Sequence, residues 1–291
     1  MKTDNPIAID KYEPTKVWLV SHRFYLLFLF LCLLSCHTDD APKEDKGVAL
    51  NQQPTGASAF DLLSSEVYDR LQLEVAYNPG QRPLPKTIDN IITFLSMVTH
   101  KSETDITVTY QELPPSEATS LNVVSTVALE ETYRTAYTKD NTIAVYIYFS
   151  DLPDSDDDPL TGRVTTGATY RNTSIIMFEE TIRDLQKKEP SISLETIETA
   201  TLQHEFGHLL GLVNLGTPMV EDHEHPFFEH HCIEENCLMR AELELGSESL
   251  KFLRRNHAKN GNTIPVLKPS CLQDLQAFGG PLIRSASPDN K

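Results

Sequence analysis

Alternating apolar and polar positions over residues 71–77 (LQLEVAY) predict a β-strand, closed by the turn residues Asn78, Pro79 and Gly80. Apolar residues then recur at helical spacing as Ile88, Ile91, Ile92, Leu95 and Val98, so residues 86–100 read as an amphipathic helix. Alternation returns over 105–111 (DITVTYQ), and residues 116–137 read as a second helix despite their Thr and Val content. The run 142–150 (TIAVYIYFS) is apolar and β-branched enough for a central strand. Two shorter strands, 163–170 and 173–178, flank a turn at Arg171 and Asn172. A short helix over 179–188 is separated by Pro190 from another that starts at Ser193. Ser193 can cap that helix, with Glu195 in its first turn.

Strands alternating with helices predict an α/β fold built on a mixed, mainly parallel five-stranded sheet with helical crossovers. The close pair near residues 163–178 adds one antiparallel edge strand. After Gly211 the pattern changes. Residues 214–237 are rich in His, Glu, Pro and Gly and have no period, which suits a loop held by metal or disulfide. Helices are expected over 241–255 and 271–278, with a turn at 260–263 between them. The expected divisions are an N-terminal subdomain, 59–213, an irregular C-terminal subdomain, 214–280, and a loose tail, 281–291.

The first 58 residues read as targeting and tether. The apolar run 25–34 (YLLFLFLCLL) follows Lys16, His22 and Arg23 and is short for a membrane span, so residues 1–35 suit a signal peptide. Leu33-Leu34-Ser35-Cys36 resembles the bacterial lipobox, which implies a lipid on Cys36; a short membrane anchor is the alternative. Residues 36–58 then form a polar, flexible tether. Asp39 and Asp40 resemble the acidic signals that send some lipoproteins outward. The implied place is the bacterial cell envelope, lipid-anchored at the outer membrane or cell surface.

Charge narrows the partners. With 25 Lys+Arg against 42 Asp+Glu, the net charge is −17, which excludes the basic footprint a nucleic-acid binder needs. A monomer is expected. Residues 151–159 (DLPDSDDDP) form an acidic loop where calcium is conceivable, but without calcium-loop spacing a solvated loop is favoured.

The chemistry lies in His204-Glu205-Phe206-Gly207-His208, which opens a stretch holding six of the ten histidines. On a helix His204 and His208 share a face and can hold one Zn2+. Glu205 beside them can take a proton from an activated water. Gly211 suits the helix end. A catalytic zinc site takes three protein ligands. The motif H-E-x-x-H-x-x-G resembles the metzincin clan, a family of zinc metallopeptidases, but Asn214 stands where that clan has its third ligand. Further on, His231-Cys232-x4-Cys237-x-Met239 resembles the archaemetzincins. That resemblance implies a zincin fold, His231 as third ligand and Met239 as the residue of the Met-turn. His223 is the main rival ligand, with His225, His230 or an acid such as Glu242 behind it. A disulfide between Cys232 and Cys237 is expected because a short loop joins them, although Cys271 could displace either. The later Cys-x-x-Cys of archaemetzincins is absent, so one catalytic zinc and no second structural zinc is expected.

The resulting expectation is a membrane-anchored zinc metalloendopeptidase of metzincin type. It would hydrolyse peptide or protein substrates with Glu205 as general base. The substrate would lie along the edge strand near residues 167–171. The alternative is a non-catalytic surface lipoprotein that keeps the fold as a binding module.

Overall fold

The structure is a computed structural model that describes residues 46–158, 160–260 and 264–282. The expected signal peptide and Cys36 lie outside these residues. Among the described residues no helix is long and apolar enough to cross a membrane.

The fold is mixed α/β. A five-stranded sheet has the order β2 (Ile106–Glu112), β1 (Arg70–Tyr77), β3 (Thr142–Phe149), β5 (Ser174–Met177) and β4 (Gly167–Arg171). All neighbours are parallel except β4, which runs antiparallel to β5 at the edge. Helices over Pro85–Val98 and Val123–Tyr133 carry the chain from β1 to β2 and from β2 to β3, as the periodicity predicts, whereas β3 reaches its parallel neighbour β5 through a loop and β4.

β3 shows why the sheet sits where it does. Ile143, Val145, Ile147 and Phe149 enter the main core, while Tyr146 and Tyr148 enter a smaller cluster on the opposite face. Successive side chains alternate faces, so a strand apolar at every position must be covered on both sides. The main core lies under α3 (Pro85–Val98), α5 (Glu179–Lys188) and α6 (Leu194–Leu209). Ser193 caps α6, its side chain accepting from the Thr196 backbone N–H at 3.1 Å. Every residue from Thr196 to Leu209 is buried. α6 is therefore covered on all sides, not amphipathic.

Several expected boundaries moved. The helix predicted over 116–137 is confined to α4 (Val123–Tyr133). Asn122 starts it by accepting from Ser125 N at 2.9 Å. It stops because the buried Glu74 carboxylate takes the Thr135 and Ala136 N–H groups at 2.9 and 2.6 Å. The edge strand starts at Gly167 rather than 163, because Thr166 turns to the C-terminal segment and donates Oγ1–H to Leu243 O at 3.0 Å. The aperiodic stretch 214–237 contains a hairpin of β6 (Glu224–His225) and β7 (Phe228–Cys232). The helix expected over 241–255 is split into a 3-10 turn (Ala241–Leu243) and α7 (Gly246–Asn260), before α8 (Pro269–Ala277) closes the fold.

The tether expectation also needs correction. Residues 47–58 are not free chain. After α1 (Lys46–Leu50), Asn51 is fully buried. Its amide donates to Thr138 Oγ1, the Ala144 carbonyl and Thr173 Oγ1 at 3.0, 3.0 and 2.8 Å, and its oxygen accepts from Thr138 N at 2.7 Å. Asn172 reaches back to Leu50 O and Ser58 Oγ, both at 2.7 Å. α2 (Ala59–Leu63) then carries the chain to β1. Polar composition hid this packing, since the contacts are hydrogen bonds rather than apolar burial.

Asn51→Ala should leave several buried polar groups without partners. Equilibrium urea unfolding should show a loss of about 1–3 kcal/mol; an unchanged midpoint and slope would mean that these residues are not part of the folded unit.

Candidate metal centre

α6 presents His204 and His208 one turn apart toward the hairpin, and β7 brings His231 to them. His204 Nε2 and His208 Nε2 lie 3.1 Å apart, and the His204 and His231 rings stack with centroids 5.3 Å apart. A carboxylate completes the group. Glu244 Oε1 lies 3.3, 3.0 and 3.0 Å from the Nε2 atoms of His204, His208 and His231. Four N/O ligands about 2.0–2.1 Å from a zinc ion stand about 3.3–3.4 Å apart in a regular tetrahedron. The observed separations are close to those edges.

Hydrogen bonding tests the fit independently. His204 Nδ1 lies 2.7 Å from the Leu238 carbonyl, and His231 Nδ1 lies 2.7 Å from the Glu229 carbonyl. Each carbonyl takes the Nδ1–H and leaves Nε2 as a lone pair facing the cluster, the outer-sphere pattern of metal-binding histidine. His231 Nε2 is within reach of Glu244 but has no hydrogen-bond geometry and counts as a buried orphan. Burial pulls His208 down to about 4, favouring the neutral ring a metal needs. This donor set fits zinc.

Glu205 sits between these ligands and the sheet edge. Its Oε2 accepts from Thr169 Oγ1 at 3.0 Å, while its buried Oε1 has no partner. Burial, followed by the nearby Glu244 charge, pushes its carboxyl well above the usual range. A Cβ on Gly167 would lie 2.9 Å from Thr201 Cγ2 and 3.1 Å from Glu205 Cγ, so β4 lies tight against α6 at this residue. A cleft of about 340 Å³ opens there, lined in part by Gly167, Thr169, Glu205, His208, His231 and Glu244. Met239 is buried beneath α6, where a Cβ on Gly207 would lie 2.1 Å from its sulfur.

The rival ligands are elsewhere. Glu242 turns away and pairs with Arg240 at 2.7 Å. His230 contacts the Val213 carbonyl at 3.3 Å, and Asn214 is exposed with φ 62°. His223 belongs to a second cluster, a correction to its standing as alternative third ligand. Its Nε2 lies 2.7 Å from Asp274 Oδ2, and its Nδ1 lies 3.3 Å from Cys232 Sγ. His223, Cys232 and Cys271 lie close enough to share a metal ion, with Cys237 Sγ 3.6 Å from Cys271 Sγ.

All three thiols are free, so the expected Cys232–Cys237 disulfide is not formed. Hydrogen bonds from Cys237 and Cys271 hold the Cys232 thiol far below the usual range, and burial pushes Cys237 up to about 12. The Asp274 contact, then that with Cys232, raises His223 to about 10. One nitrogen and two sulfurs, with the Cys237 sulfur beside Cys271, are donor types found in structural zinc sites. A second candidate group therefore stands beside the one expected catalytic site. Sequence spacing missed it because its members are scattered over residues 223–271 with no compact ligand motif. The loop at 151–159 gathers no comparable group among the described residues. Asp157 and Asp158 instead accept backbone N–H groups at 2.7 and 3.1 Å, so calcium is not supported.

Two outcomes are expected. Elemental analysis should find two zinc ions per chain, and Cys271→Ser should keep one and melt at a lower temperature; one zinc in both proteins would remove the second cluster. Gly207→Ala should cost about 1–3 kcal/mol by overpacking against Met239. A double-mutant cycle with Met239→Ala should show the two changes to be coupled, and additive losses would place the strain elsewhere.

No family model matches the chain, and no curated protein matches it. Among solved structures it is similar to an archaemetzincin from Methanopyrus kandleri, with 17% sequence identity and a TM-score of 0.44, covering 72% of this chain and 96% of that one.

Proposed function

We propose that the chain is a zinc-dependent endopeptidase. The observation that carries the reading is the placing of Glu205. Its Oε1 is buried and unpartnered while Oε2 is fixed by Thr169, immediately beside three histidine nitrogens that face one another. A purely structural metal needs no such carboxylate.

His204, His208 and His231 would hold the metal, which when bound polarises a peptide carbonyl and acidifies water. Glu205 would take the water proton on Oε1 and pass it to the leaving amine. Thr169 keeps the carboxylate from rotating away. β4 has one side paired with β5 and the other side unpaired within the sheet. An extended substrate can add there through main-chain hydrogen bonds and so bring its carbonyl to the cleft. Attachment to a bacterial envelope through a lipid on Cys36 is part of the proposal, supported by the apolar run 25–34 and the sequence around Cys36.

The second reading, a non-catalytic binding module, is favoured by one observation. Glu244 stands at the corner that a water or substrate oxygen would need.

On the full chain with a peptide library, wild type should cleave. Glu205→Gln should keep its metal and lose about 10²–10⁴-fold in rate, the usual worth of a positioned general base. A wild type that binds zinc but shows no cleavage dependent on Glu205 would hand the site to the second reading.

A further inference from the structure

Glu244 is the one member of the ligand cluster with a solvent-facing side chain. Its side chain is 29% exposed, against 0%, 7% and 11% for His204, His208 and His231. The histidines approach from the protein side, and the carboxylate closes the side on which the cleft opens. Its single oxygen Oε1 contacts all three Nε2 atoms. An ordinary surface carboxylate would pair with one donor. A position equidistant from three lone pairs is the fourth corner of a tetrahedron.

The backbone that carries Glu244 is pinned. Leu243 O accepts from Thr166 Oγ1 at 3.0 Å, Leu245 bridges to Thr165, and the Glu244 N–H is taken by Ala241 O at 3.2 Å. Gly246 follows with φ 20°, where a Cβ would lie 2.3 Å from the Val164 side chain. The segment therefore stays against the entry to β4, and only the side chain has room to withdraw into the cleft. Rotation about its χ angles would carry Oε1 away from the histidines without moving the chain.

We propose that Glu244 is a fourth protein ligand of the metal, that it closes the resting site, and that its carboxylate must swing out before a substrate carbonyl or water can take the open corner. The proposal rests on the reading of the three histidines as a zinc site and adds its regulation: a built-in carboxylate gate between a closed four-ligand state and an open three-ligand state. It also reconciles the two functions weighed above, since the closed state resembles a structural site and the open state a catalytic one. Ligands that fill the corner then compete directly with Glu244. If the site is open for about a tenth of the time or less, such a ligand binds about tenfold or more weakly than it would without the gate.

Azide, a small anion that fills an open metal corner, tests this on the full chain with cobalt(II) in the three-histidine site. Binding is read from the visible spectrum, and zinc affinity from competition with a chromophoric chelator. Glu244→Gln keeps the shape and removes the charge, and Glu244→Ala repeats the test with the side chain gone. Melting of the metal-free proteins identifies any variant that fails to fold. The expected result is azide binding at least about tenfold tighter in both variants than in wild type, with weaker retention of zinc. Equal azide affinities in wild type and in either folded variant would overturn the proposal. Azide tightening without any Glu205-dependent cleavage would keep the ligand and remove the peptidase. Glu205-dependent cleavage with no azide shift would keep the peptidase and remove the gate.

Discussion

Three imidazole nitrogens and one carboxylate oxygen converge on a single point inside the protein, an arrangement that a bound cation stabilises. His204 Nδ1 and His231 Nδ1 contact carbonyls, which orients those two rings so that Nε2 faces the shared point. That convergence organises the structure around α6. The helix is buried along its length, so the sheet covers one side and α3, α5 and the C-terminal segment cover the rest. Its helicity depends on this packing more than on an amphipathic stripe.

The two clusters are coupled through a single strand. His231 and Cys232 are adjacent on β7, and strand geometry sends neighbouring side chains to opposite faces. His231 meets α6, while Cys232 meets His223 and the other thiols. The return segment repeats the arrangement. Leu238 O contacts His204 Nδ1, and Met239 O accepts from Cys232 N at 2.6 Å. A metal held by the thiols would thus fix the register of the strand that supplies the third histidine. In residues 214–245, where regular structure is confined to the hairpin and the 3-10 turn, it would do what a larger apolar core does elsewhere.

Most of the parallel sheet was legible in the sequence because β1, β3 and α3 are built by burial, and burial leaves a period. The pair on α6 was legible because both ligands lie on one element at fixed spacing. His231 was legible only by resemblance, and its rival His223 could not be dismissed from the chain alone. What escaped was polar and non-local. Glu244 lies 36 residues beyond His208 and two beyond the glutamate that was weighed, Glu242. No period separates a carboxylate that turns toward the histidines from one that turns toward Arg240. Asn51 escaped for the same reason: its partners Thr138, Ala144 and Thr173 are 87, 93 and 122 residues away.

The sheet edge adds a constraint of a different kind. An exposed edge strand invites pairing, and proteins usually blunt it with bulges or short length. β4 is short, and its register shifts between Thr169 and Arg171, yet it carries the two features that set the position of Glu205. Gly167 lets the strand approach the helix, and Thr169 bonds both the Glu205 carboxylate and its backbone carbonyl at 3.0 Å. A side chain at Gly167 would press on Thr201 Cγ2 and on the Glu205 side chain itself. The backbone edge that would receive a substrate and the carboxylate that would move its protons are therefore positioned by the same five residues.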